Sequence, residues 1–131
     1  MSVNVMSRTV SNLSSAELDV YRKALRNRKR VAPRNSARLR SARKVARKAA
    51  SILRKQFGVG KIVLFGSVAN PRLFHSRSDV DLAVWGLGEG QYFRAVSALL
   101  GIDPEINVDL IEFEFASPSM QAVILQNGKP L

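Results

Sequence analysis

Asp79 and Asp81 stand two residues apart in the segment Asp79-Val80-Asp81-Leu82-Ala83-Val84-Trp85. On a strand the side chains alternate, so both carboxylates share one face while Val80 and Leu82 take the other. Two such charges repel each other unless a cation sits between them. Hard oxygen ligands of this kind suit Mg2+, which keeps several waters and binds one or two carboxylates together with substrate phosphates. Upstream, the apolar run Ile62-Val63-Leu64-Phe65 has the length of a buried strand and ends at Gly66-Ser67. A glycine there lets backbone N–H groups come close to a phosphate, and the Ser67 hydroxyl can donate to it. A lone Asp-x-Asp is often a solvated strand edge and a lone Gly-Ser is usually a turn. Together, after one apolar strand and at the start of another, they are far more specific.

The elements that must position these groups follow from periodicity. Ser14-Ser15-Ala16-Glu17 reads as a capping box, opening a helix through Leu18, Tyr21 and Leu25 to about Lys29. Pro33 interrupts. A second helix is expected from Ser36 to Phe57, with Leu39, Ala42, Ala46, Ala49, Leu53 and Phe57 at helical spacing and Gly58 as its stop. Its alanine-rich stripe buries little area, so its first half is expected to stand away from the core. A strand covers Lys61–Gly66, then a short helical turn Ser67–Ala69, then a spacer loop Pro71–Ser78. The strand Asp79–Trp85 follows. Phe93, Val96, Leu99 and Leu100 predict a helix over Gln91–Leu100. Ile106–Ile111 is a strand with Asp109 in an apolar setting, where a carboxylate is costly unless paired or bound to metal. The plainer alternative is a strand-end aspartate bonded to a turn. Glu112 and Glu114 are expected to be solvated. Ser117-Pro118 opens a last helix with proline at its first position, and Met120, Val123, Ile124 and Leu125 are assigned to its core side.

Length and charge bound the rest. The chain of 131 residues is enough for one compact domain with an extension. No apolar run has the length of a membrane span, and the first ten residues carry no secretory signal. Cysteine is absent, which excludes disulfides and thiolate chemistry. A cytoplasmic location is the default expectation. His75 is the single histidine, so no histidine metal cluster can form. The formal charge is +11 and is unevenly placed. Fifteen Lys or Arg and no acidic residue lie between Arg22 and Lys55, whereas from Gln56 onward there are five basic residues against eight acidic ones. Residues 1–57 therefore read as a basic helical arm and residues 58–131 as the catalytic core. The arm suggests a polyanion or an acidic protein surface as partner. The plainer alternative is a solvated charged face.

Gly66-Ser67, a spacer, and Asp79-Val80-Asp81 resemble the signature of the nucleotidyltransferase superfamily with the DNA polymerase beta palm fold, and the size resembles its minimal branch. The likeness runs from about Ile62 to the end. The spacer, residues 68–78, is one residue longer than the usual pattern, and Asn70-Pro71 stands where the family often has Arg-Gly; Arg72 and Arg77 are nearby. The resemblance implies an α+β fold: a small mixed sheet with helices mainly on one face, here preceded by two basic helices. It implies nucleotidyl transfer with Mg2+ and ATP, with Asp79 and Asp81 holding metal. Asp109 matches the superfamily's third carboxylate, which binds a second metal or takes the proton of the attacking hydroxyl. Gly66 and Ser67 would cradle the outer phosphates. Minimal members of this kind are similar to antitoxins that pair with a HEPN-type toxin, which implies AMP transfer to a toxin tyrosine. Two alternatives compete: transfer to an RNA 3′ end held by the arm, and a non-catalytic binding module of the same fold.

Overall fold

The computed structural model describes residues 35–131 together with Ala16, Leu18 and Asp19. Those three are helical and Leu18 is buried; the rest of the expected first helix lies outside the described residues. The first fully described helix, α1, spans Ser36–Phe57 as its periodicity predicts. It has no acidic residue in its first turn and no side-chain cap at Asn35, so its N-terminal end does little to hold it. Packing of one face does, as for most helices in folded proteins. That face is Leu39, Ala42, Val45, Ala46, Ala49, Ala50 and Leu53, all buried. The first half therefore does not stand away from the core. Alanines let the helix axis approach the sheet closely, so a stripe of small area is still fully covered. Gly58 ends the helix at φ 65°, and its N–H returns to Arg54 and Leu53 carbonyls. Glycine alone adopts this left-handed conformation at little cost.

Four strands form one sheet in the order β3-β2-β1-β4: β1 (Lys61–Phe65), β2 (Val80–Trp85), β3 (Val108–Glu112) and β4 (Lys129–Pro130). β1 is antiparallel to both β2 and β4, while β2 and β3 are parallel, so the sheet is mixed. Strand alternation sorts the side chains. Ile62, Leu64, Leu82, Val84 and Leu110 join the larger core with α1 and with Ala95 and Leu99 of α3 (Tyr92–Leu99). Val63, Phe65 and Ala83 point the other way, against Met120 and Ile124 of α4 (Pro118–Asn127). That C-terminal helix covers only part of its face. Between β1 and β2 the chain makes one helical turn, α2 (Gly66–Ala69), then a 3-10 turn at Pro71–Leu73.

Several expectations shift in detail. The helix α3 keeps its period but turns by one position. Tyr92, Ala95, Val96 and Leu99 face the core, whereas Phe93 is 81% exposed and Leu100 69%. The Tyr92 hydroxyl donates to the Leu110 carbonyl at 2.7 Å, which commits that ring inward and rotates Phe93 out. Leu125 of α4 is also exposed. The spacer is anchored rather than free: Phe74 is buried, and the buried Ser78 accepts the His75 N–H on Oγ at 2.9 Å. Glu114 is exposed, as expected, and its carboxylate also accepts the Gly86 N–H at 2.7 Å, fixing the end of β2. The strand β4 gave no signal beforehand, since two residues including a proline carry no period.

Candidate active site

Three carboxylates gather at one end of the sheet. Register sets two of them: Asp81 pairs with Phe65 on one side and with Asp109 on the other. Asp81 lies on the face of Ala83, and Asp109 on the face of Ile111, so both project from the side that α4 leaves open at this end. Asp79 sits just before β2. Its Oδ1 accepts the Asn107 N–H at 3.1 Å, which ties the entry of β2 to the entry of β3.

Gly66 closes the fourth side. Its φ is 74°, and a Cβ built there would meet Asp81 Oδ2 at 2.2 Å. Asp81 thus rests against bare backbone where any other residue would put its Cβ. This is the physical reason the chain needs glycine at the first position after β1, and it joins the two sequence motifs into one site. Ser67 follows, half-buried, in the same turn.

Electrostatics mark the cluster. Burial, then Asp109, then Asp79 push the Asp81 carboxyl well above the usual carboxylate range. Burial and then Asp79 raise Asp109. Tyr92 is raised by burial, then by Asp109 and Glu112, and Glu112 by burial and Glu114. Glu112 is thus not simply solvated. Crowded carboxylates of this kind are what a divalent cation relieves. Among the described residues, no three acidic or histidine side chains enclose an ion by themselves. The donor set nevertheless fits Mg2+: hard oxygens from Asp79 and Asp81, with Asp109 alongside, each of the three part-exposed and so within reach of waters and phosphate.

Sequence reasoning missed Arg38. It stood on the basic face of α1 with nothing to set it apart. In the structure it leaves that face: Nη2 donates to the Ser78 carbonyl at 2.9 Å and to the Glu105 carbonyl at 3.1 Å, and Nε reaches Ser78 at 3.3 Å. Nη2 also lies 3.6 Å from Asp79 Oδ1. Asn107 was missed as well, because a backbone donor carries no residue-type signal.

An aspartate on a central strand and another just before it, set against a glycine-led turn and a third carboxylate on the next strand, define a nucleotidyl-transferring fold. The chain belongs to the polymerase beta nucleotidyltransferase family, which matches residues 47–131. Solved structures agree. One described as a minimal nucleotidyltransferase is 26% identical, with a TM-score of 0.54, covering 71% of this chain and 95% of the other. A toxin–antitoxin with AMP-PNP is 26% identical with a TM-score of 0.54, covering 64% of this chain and 69% of the other. A mutant of the toxin–antitoxin MntA-HpeT, with a tyrosine replaced by alanine, is 26% identical with the same TM-score, covering 66% and 70%. No curated protein matches the chain. No helix among the described residues is long and apolar enough to cross a membrane.

Proposed function

We propose that this nucleotidyltransferase acts as the antitoxin of a toxin–antitoxin pair, moving AMP from ATP to a tyrosine hydroxyl of a HEPN-type toxin. The observation that carries the reading is the cross-strand pair Asp81 and Asp109, with Asp81 seated against Gly66. The acceptor oxygen attacks the α-phosphorus, the bond to the bridging oxygen breaks, and pyrophosphate leaves. Asp109 takes the hydroxyl proton. Bound Mg2+, held by Asp79 and Asp81, would stabilise the charge on the reacting phosphate oxygens. Gly66 and Ser67 offer N–H and hydroxyl donors to the outer phosphates. The likeness to a toxin–antitoxin carrying AMP-PNP supports both the nucleotide and the type of partner.

Transfer to RNA fits the geometry less well. Arg40, Ser41, Arg43, Lys44 and Arg47 line a shallow groove on the outer side of α1. The apolar side of that helix lies on one face of the sheet, and the carboxylates project from the other. RNA tracking the groove would not deliver its end to Asp81. The deciding experiment mixes the protein with ATP, Mg2+, a candidate HEPN-type toxin and total RNA. Mass spectrometry should find an adenylate on the toxin and none on RNA ends. Label on RNA alone would reverse the choice, and no label anywhere would favour a non-catalytic module.

Two further outcomes belong to this reading. Ser67→Ala should weaken nucleotide use by about 1–3 kcal/mol, the usual cost of a lost charge-assisted hydrogen bond. Unchanged kcat and KM would reduce Ser67 to a turn residue. If the groove on α1 holds a nucleic-acid backbone, affinity must fall steeply with salt, because each neutralised phosphate releases counterions. A flat salt titration would make it a solvated face.

A further inference from the structure

Eight basic residues lie on α1, and Arg38 differs from the exposed ones in what it touches. Its side chain is only 21% exposed. Its guanidinium grips two carbonyls from separate segments, Ser78 before β2 and Glu105 before β3. These are the two chain entries that Asp79 also bridges through the Asn107 N–H. The contact to Asp79 is long for a salt bridge and partly exposed, so its Coulomb energy is small. Geometry is the larger effect. The planar guanidinium fixes several partners at once, which lysine cannot do. Both contacts to Asp79 fall on Oδ1, so Oδ2 is left as its ligand atom among the described residues.

We propose that Arg38 is the positioning residue of the site: by clamping Ser78, Glu105 and Asp79 Oδ1 together, it holds Asp79 Oδ2 in place to ligate a divalent cation beside Asp81. The proposal rests on the metal site of the reading above, not on the identity of the acceptor. Its reach is structural as well. The clamp ties α1, a helix that begins upstream of the family match, to the corner that carries the chemistry.

Direct Mn2+ binding, followed by electron paramagnetic resonance, separates positioning from charge. A guanidinium repels a cation, so removing it for charge reasons alone would tighten binding. Positioning requires the opposite sign. Arg38→Met should weaken Mn2+ binding by about 10–100-fold, the range usual for partners that orient a ligand. Arg38→Lys, which keeps the charge and loses the fork, should fall between Met and wild type. Arg54→Ala removes another tie of the same helix, the bond from Arg54 to the Leu131 carbonyl, and should bind Mn2+ like wild type. Tighter or unchanged binding by Arg38→Met overturns the proposal, as does an equal loss in Arg54→Ala. Should the Met variant fail to fold, the Lys variant decides, and wild-type affinity there overturns it. Wild-type protein that binds no Mn2+ overturns it together with the carboxylate site. Wild-type Mn2+ binding that falls in Arg38→Met, with no AMP transfer to any acceptor, sustains the clamp and removes only the adenylyl reading.

Discussion

Asp81→Asn should abolish nucleotidyl transfer and, at neutral pH, raise the melting temperature. The two effects share one cause. Loss of water around this part-buried carboxyl, then the charges of Asp109 and Asp79, lift its pKa in the folded chain. It therefore holds a proton more tightly when folded than when unfolded. Its contribution to stability is full below the unfolded value and is lost as pH rises through the raised folded value. Above the unfolded value, burying this carboxyl opposes folding, and asparagine removes that cost while keeping the shape. For a domain of this size each ~1 kcal/mol moves the midpoint by roughly 2–8 °C. The gain should shrink in acid, where wild type is already protonated, and shrink again with Mg2+, which stabilises only the wild-type site. Labelled ATP and a melt at two pH values check both halves. Equal labelling by wild type and variant would falsify the catalytic role. A lower melting point at pH 7 would mean that Asp81 makes stabilising contacts that outweigh its burial.

Gly66→Ala should be the second large effect, and Gly58→Ala is its control. Both glycines have positive φ, 74° and 65°, so alanine costs each about 1–2 kcal/mol of backbone strain. They differ in surroundings. At Gly58 a new Cβ meets nothing within 4 Å, whereas at Gly66 it meets the Asp81 carboxylate at 2.2 Å. That side chain must move, and a displaced ligand of about an ångström can cost ~100-fold in rate. Gly58→Ala is thus expected to lose stability and keep transfer. Gly66→Ala is expected to lose more stability and nearly all transfer. Matching activity in the two variants would show that Gly66 serves only the turn.

The parts legible from sequence were those written in residue type and period. The stripe Leu39 to Leu53 set both ends of α1. The apolar run before Gly66 and the alternation through Asp79 and Asp81 placed the two central strands, and their likeness to a known family supplied the mixed sheet. What stayed hidden depended on contacts between distant residues. Arg38 looks like its basic neighbours until Ser78 and Glu105 fold against it. The outward turn of Phe93 follows from a tyrosine hydroxyl finding a carbonyl on β3. The steric match of Gly66 to Asp81 needs the antiparallel register, which no single segment encodes.

The place of β2 within the sheet has a kinetic consequence. With β1 on one edge and β3 on the other, its backbone amides have partners on both sides and no solvent-facing edge. Amide hydrogens there exchange only when the sheet opens as a whole, at the slow end of the protein's range. The spacer, fastened chiefly by Phe74 and Ser78, opens locally and exchanges early. The carboxylates of β2 and β3 therefore ride on the slowest-exchanging part of the chain while a faster segment passes beside them. Deuterium uptake should read out in that order: residues 71–77 first, residues 81–84 last.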